Sequence, residues 1–205
     1  VAVAPPLRRY GVAIAIDLDL RALPRASVLA RHVDDMARGR HGHDAVCAAG
    51  ITEAHGGEPW YYDTYATVLL NDTYVHPLKR RLIKSHYPGE DPSLVRSDDM
   101  NGKFTQGDIM RYLEKLGEES DDGGYGAAPV RSCFGGMALY RSDVWLESGC
   151  WYGADPAGLD KYATEADGRP CEHVVFHECL RQRARSGKVN LAVHPGLVTL
   201  WRKGR

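Results

Sequence analysis

Tyr10-Gly11-Val12-Ala13-Ile14-Ala15-Ile16-Asp17-Leu18-Asp19-Leu20 is an apolar, strand-like run that ends abruptly in two carboxylates one residue apart. In a strand, residues i and i+2 point to the same face. Asp17 and Asp19 are therefore expected to converge, at the strand end or in the bend that follows. Two convergent carboxylates repel each other and are costly to desolvate. A hard divalent cation removes that cost, because oxygen ligands suit magnesium, manganese or calcium. A lone Asp-x-Asp is more often a pair of solvated loop aspartates, so the meaning of this pair depends on the rest of the chain.

Working outward, Pro5-Pro6 stops a short apolar start, and Pro24 separates the opening strand from a helix expected over residues 27–38. Its apolar positions Val28, Leu29, Val33 and Met36 have roughly helical spacing, and Ser27 is the expected N-cap. Asp44-Ala45-Val46-Cys47-Ala48-Ala49-Gly50 reads as a short buried strand, followed by a Gly-rich loop and the aromatic cluster Trp60-Tyr61-Tyr62-Asp63-Thr64-Tyr65. Clustered aromatics usually belong to a core. Beside an acid, they also suit a sugar or a base, because an aromatic face covers C–H surface while a carboxylate binds hydroxyls.

Residues 71–129 form the least regular part, rich in Pro-Gly, Asn-Gly and Asp-Gly punctuation, with one helix expected over 108–116. A segment this long is either functional or partly disordered. Regularity returns in residues 130–140, read as a single strand carrying the pair Gly135-Gly136. Glycines inside a strand pattern mark a bulge or the close approach of a ligand or another backbone. Residues 171–183 read as a helix with Glu172 and His173 in its first turn, where the helix dipole favours an acid. Residues 189–195 read as a strand that delivers His194 to its end.

The 205 residues are about one domain's worth. A net charge of −1 gives no general field for nucleic acid, and no stretch of about 20 apolar residues is present to span a bilayer. Five cysteines, an odd and sparse set, do not look like a disulfide framework. The chain opens on an apolar run without Met and reads as a fragment or a processed chain.

Four polar features thus fall in order at the ends of apolar elements: Asp17/Asp19, Gly135-Gly136, Glu172-His173 and His194. Each is weak alone, and the ordered set is far more specific. It resembles the core of the GT-A glycosyltransferases, and within them the group of fungal capsule-type α-mannosyltransferases. That group is similar in its Ala/Cys-rich strand, its Tyr62-Asp63 segment and its Ser132-Cys133-Phe134-Gly135 run. The resemblance implies an α/β fold with a mixed, Rossmann-like sheet and transfer of a sugar from a nucleotide-sugar donor to an acceptor hydroxyl, with GDP-mannose as a candidate donor. It implies a divalent cation, manganese foremost and magnesium next, held by Asp17, Asp19 and His194. It implies Glu172 as catalytic base, and Tyr62, Asp63, Phe134, Gly135, Gly136 and His173 as donor and acceptor contacts. The chain has Glu-His where many members carry two acids. Only sixteen residues precede Asp17, so the first, nucleotide-binding βαβ units are expected upstream in a longer parent. With an N-terminal anchor the parent would work in the lumen of the secretory pathway, and otherwise in the cytoplasm.

Three other readings stand beside this one. Cys171, His173, His177 and Cys179 are zinc-ligand types within nine residues. An Asp-x-Asp after a strand also opens metal-dependent phosphohydrolase sites. A non-catalytic carbohydrate-binding fragment would account for the aromatic cluster and leave the carboxylate pair unexplained.

Overall fold

The computed structural model describes residues 11–53, 59–62, 66–70, 106–120, 126–152, 170–184 and 188–201. Asp63, the Gly-rich loop over residues 54–58 and most of the irregular segment lie outside these residues. The strands are β1 (Val12–Ile16), β2 (Leu20–Ala22), β3 (Ala45–Glu53), β4 (Pro59–Tyr61), β5 (Val68–Leu69), β6 (Ala128–Ser132), β7 (Met137–Arg141) and β8 (Leu191–Trp201). The helices are α1 (Ala26–Ala37), α2 (Gln106–Glu118), α3 (Ser142–Ser148) and α4 (Glu172–Arg183).

All eight strands join one mixed sheet with the order β1-β7-β3-β8-β6-β5, while β2 pairs with β8 and β4 with β3. Strand β7 runs antiparallel to both β1 and β3, and β3 runs parallel to β8. The architecture is α/β with an open mixed sheet, compatible with a Rossmann-like fold. Alternation along the strands divides the core in two. Val46, Ala48, Met137, Leu139 and Leu197 pack with Val28, Leu29, Val33 and Met36 of α1. Cys47, Ala49, Ala138, Tyr140 and Val193 face the other way, among Leu113 of α2 and Phe176 and Leu180 of α4. Helices therefore cover both faces, which is why β3 is apolar at successive positions rather than at alternate ones.

Several sequence expectations change in detail. The opening run is a strand only to Ile16; Leu18 and Asp19 turn the chain, which then crosses to pair Leu20 with Trp201 on β8. Helix α1 starts behind Arg25, with no side-chain cap, so Ser27 lies inside the helix and does not cap it. The expected strand over residues 130–140 is two strands, separated by a turn at Gly135-Gly136. Strand β6 lies beside β8 and β7 beside β3, so this turn belongs to a segment that crosses the sheet. The last two apolar runs are one strand, whose register with β3 slips between the pairs Ala48–His194 and Ala49–Val198.

The cysteines correct a larger expectation. Four of the five are paired, Cys47 with Cys133 and Cys150 with Cys179, and Cys171 is in neither disulfide. Cys47–Cys133 ties the central strand β3 to the crossing segment, and Cys150–Cys179 ties the end of α3 to α4.

Among the described residues, no helix is long and apolar enough to cross a membrane.

Candidate functional site

The carboxylate pair sits in the turn after β1, with Asp17 half-buried and Asp19 exposed. The Asp17 amide donates to the carbonyl of Gly136 at 2.9 Å, fixing this turn against the crossing segment. Burial holds the Asp17 carboxyl above its ordinary value, and the charges of Asp19 and Glu172 push it the same way. The structure thus brings Asp17, Asp19 and Glu172 into one electrostatic neighbourhood. Tyr152 joins them: burial pushes its phenol up to about 12, with the carboxylates of Asp17 and Glu172 adding to the shift.

Glu172 opens α4 and keeps 64% of its side chain exposed, so it can meet a ligand. Cys171 directs its thiol to the Glu172 carboxylate at 3.5 Å. His173 behaves differently from its exposed neighbour. Its ring stacks on Phe134 at 3.6 Å between centroids and meets Tyr152 edge-on. Burial lowers its pKa to about 4, so the imidazole is neutral near pH 7. Nε2 lies 3.7 Å from Glu172 Oε1, and Nδ1 is buried without a hydrogen-bond partner. An unsatisfied buried nitrogen costs roughly 1–3 kcal/mol, so a hydrogen-bonding partner to this atom would be retained strongly.

The glycine pair has a structural cause that its sequence pattern did not separate from ligand approach. Gly135 and Gly136 have φ of 62° and 80°, in the left-handed region that favours glycine. A methyl on Gly135 would collide with the backbone carbonyl of Ala48, and one on Gly136 would meet Leu20 and Trp201 at 2.7–2.8 Å. Thr199 Oγ1 donates to the Gly135 carbonyl. Close approach of other backbone and of Trp201 accounts for both glycines.

Of the aromatic cluster, Tyr61 is buried and its hydroxyl meets Thr67 Oγ1 at 2.9 Å, whereas Tyr62 is 47% exposed. Tyr62 stacks on Trp201 with centroids 4.0 Å apart. Trp201 and Tyr152 were absent from the sequence-based site. The signal for Trp201 was present in the alternation Leu197, Thr199, Trp201, which puts the indole on one face. Nothing local marked Tyr152, whose ring packs on His173 and Phe176 of α4.

His194 is a correction. Its ring packs edge-on against His32 of α1 at 4.4 Å, and its Nδ1 accepts the Gly196 amide at 3.1 Å. It lies on the α1 side of the sheet, whereas Phe134 belongs to the opposite side. Strand alternation decides this, because Val193 already faces α4 and its neighbour must face away. Among the described residues, no group of three or more His, Cys, Asp or Glu side chains is arranged to hold a metal ion by itself. The zinc set fails as well. Cys179 is in a disulfide, and His177 is buried with Nδ1 2.9 Å from Ser132 Oγ and Nε2 2.9 Å from the Tyr140 hydroxyl.

Compared with known proteins, the chain matches no protein-family model, no curated protein and no solved structure.

Proposed function

We propose that the protein is a metal-dependent glycosyltransferase of GT-A type, moving a sugar from a nucleotide-sugar donor to an acceptor hydroxyl. The observation that supports this reading is that Asp17, fixed at the strand end by its amide bond to Gly136, has its carboxyl raised by burial and by the charges of Asp19 and Glu172. Such a set gains most from a divalent cation and from a ligand that shares it. Asp17 and Asp19 would hold the cation, manganese foremost, and oxygen-only ligands fit it or magnesium. His194, facing α1, is left out of this set. When bound, the cation supplies electrostatic stabilisation of the charge that develops on the departing diphosphate.

In the transfer, the bond between the sugar's anomeric carbon and the diphosphate oxygen breaks, and a bond from that carbon to the acceptor oxygen forms. In an inverting transfer, the exposed Glu172 carboxylate takes the acceptor's proton. In a retaining transfer, Glu172 orients the sugar and the departing diphosphate takes the proton. The neutral ring of His173, stacked on Phe134, leaves the Glu172 charge unneutralised at pH 7. Two disulfides suit an oxidising compartment, which favours the lumen of the secretory pathway over the cytoplasm.

The test is manganese-dependent release of nucleoside diphosphate from a panel of nucleotide sugars, GDP-mannose included. Asp17→Ala and Asp19→Ala should each abolish release while the protein stays folded. Unchanged metal-dependent release in both variants would refute the assignment.

A further inference from the structure

His177 of α4 is fully buried inside a string of polar side chains that leads toward Glu172. Its Nδ1 lies 2.9 Å from Ser132 Oγ and receives the Cys133 amide at 3.4 Å. An amide nitrogen only donates, so Nδ1 carries no proton and the Ser132 hydroxyl donates to it as well. Burial keeps this ring neutral near pH 7, which puts its one proton on Nε2. Nε2 therefore donates to the Tyr140 oxygen at 2.9 Å, and the Tyr140 proton must point elsewhere.

Tyr152 is where it points. Both phenols pack on Phe176, Tyr152 stacked at 4.7 Å and Tyr140 edge-on at 5.6 Å between centroids. Burial, foremost, raises both phenols; their mutual hydrogen bond raises Tyr140 further and lowers Tyr152, the sign expected when Tyr140 donates. The contact is loose, and the buried Tyr152 hydroxyl falls short of a hydrogen bond of standard geometry. The Cys150–Cys179 bridge ties this segment to α4, two residues before Tyr152 and two after His177.

The Tyr152 ring meets His173 edge-on at 5.1 Å, and His173 Nδ1 is also buried without a hydrogen-bond partner. These two orphaned atoms are complementary, because a phenol proton lacks an acceptor where a neutral imidazole offers one. The other nitrogen of that ring, Nε2, lies 3.7 Å from Glu172 Oε1, just beyond hydrogen-bond reach of an exposed carboxylate that is able to turn toward it. With its proton on Nε2, the His173 ring accepts from Tyr152 on one side and donates to the carboxylate on the other.

We infer that Ser132, His177, Tyr140 and Tyr152 are positioning residues for Glu172: their donors all run one way, and the string ends on His173, whose Nδ1 takes the Tyr152 hydroxyl and whose Nε2–H is thereby aimed at the Glu172 carboxylate. This deepens the glycosyltransferase proposal and rests on it for the task of Glu172, taking the acceptor's proton. No proton travels along the string. Its uniform polarity selects one tautomer of His173 and one orientation of the carboxylate, so His173 acts on Glu172 instead of touching the sugar.

Nitrogen-15 NMR of the full chain with labelled histidine tests this at pH 7, the His173 signals being assigned through His173→Gln. His173 should be neutral with its proton on Nε2. In Tyr152→Phe its Nδ1 resonance should move downfield, toward that of an imidazole nitrogen with no hydrogen bond, and in Tyr140→Phe it should move the same way by less. Both variants keep their rings, so a string that served packing alone would leave the resonance where it is. Tyr140→Phe strands the buried His177 Nε2–H, and circular dichroism checks that it folds; Tyr152→Phe, which breaks no formed link to His177, decides the matter if it does not. A proton on His173 Nδ1, or an unmoved resonance in folded Tyr152→Phe, would overturn the inference. Failure of the transferase proposal has a separate signature, namely metal-dependent donor release that survives in both Asp17→Ala and Asp19→Ala. The nitrogen spectra need no substrate and read the string whatever that assay returns.

Discussion

Replacing both cysteines of the Cys47–Cys133 bridge should destabilise the fold more than removing Cys150–Cys179. The bridges span sequence separations of 86 and 29. Treating each as a constraint on the unfolded chain, the closed-loop relation gives about 4.6 kcal/mol for the longer loop and about 3.6 kcal/mol for the shorter. Native stabilities run at roughly 5–15 kcal/mol, so Cys47→Ala with Cys133→Ala leaves a marginal protein. With a urea m-value of about 2 kcal/mol/M, the midpoint should fall by about 2.3 M against about 1.8 M for the other pair. Both members of the longer bridge are fully buried, and Cys133 directly precedes Phe134, the ring on which His173 stacks. Losing it should also loosen the crossing segment beside the acids. Urea titration followed by far-ultraviolet circular dichroism measures both pairs, and non-reducing peptide mass spectrometry verifies the native pairing. A larger loss in the Cys150/Cys179 variant, or free thiols at Cys47 and Cys133 in the native protein, would refute the reasoning.

Gly135→Ala should cost more than about 2 kcal/mol, since left-handed φ alone costs about 1–2 kcal/mol and the Ala48 carbonyl adds a backbone collision; denaturant titration reads it. Stability should fall as pH drops from about 6.5 through about 4, because burial lowers the pKa values of His173 and His32 to about 4 and about 3. The unfolded chain binds those protons first, and thermal melts across that window should show the loss, with no change there counting against buried neutral rings. The Asp17 carboxyl should titrate above its ordinary value in the free protein and move down when magnesium is added, since a cation reverses the effect of the neighbouring carboxylates. Carboxyl-detected NMR follows this shift, and a magnesium-insensitive titration would remove the metal-holding role.

Short-range physics carried most of the legible part. Helical spacing of Val28, Leu29, Val33 and Met36 placed α1 to within about a residue, because one apolar stripe must be buried whatever lies beneath it. The polar start of α4 was readable for the same reason, with Glu172 at the helix opening and a run of apolar residues after it. The Asp17-Leu18-Asp19 pair was legible as an abrupt change from apolar to acidic. Its electrostatic coupling to Glu172 was not, since the two segments are more than 150 residues apart in the chain and only the tertiary structure brings their charges to bear on each other. The glycine pair was noticed for what it permits, close approach, without a means of naming what approaches.

The sequence by itself determined an α/β alternation of apolar strands and amphipathic helices, an abrupt acidic end to the first strand and a glycine pair marking a bulge or a close approach. Those follow from periodicity and backbone sterics, which act over a few residues. Tertiary structure alone decided that the cysteines pair, that His194 faces His32 instead of the acids, and that Trp201 stands under Tyr62. Each depends on which face of a strand meets which helix, and on backbones approaching within bonding distance. Such distances are set by the packing of the whole sheet, and no stretch of sequence contains them.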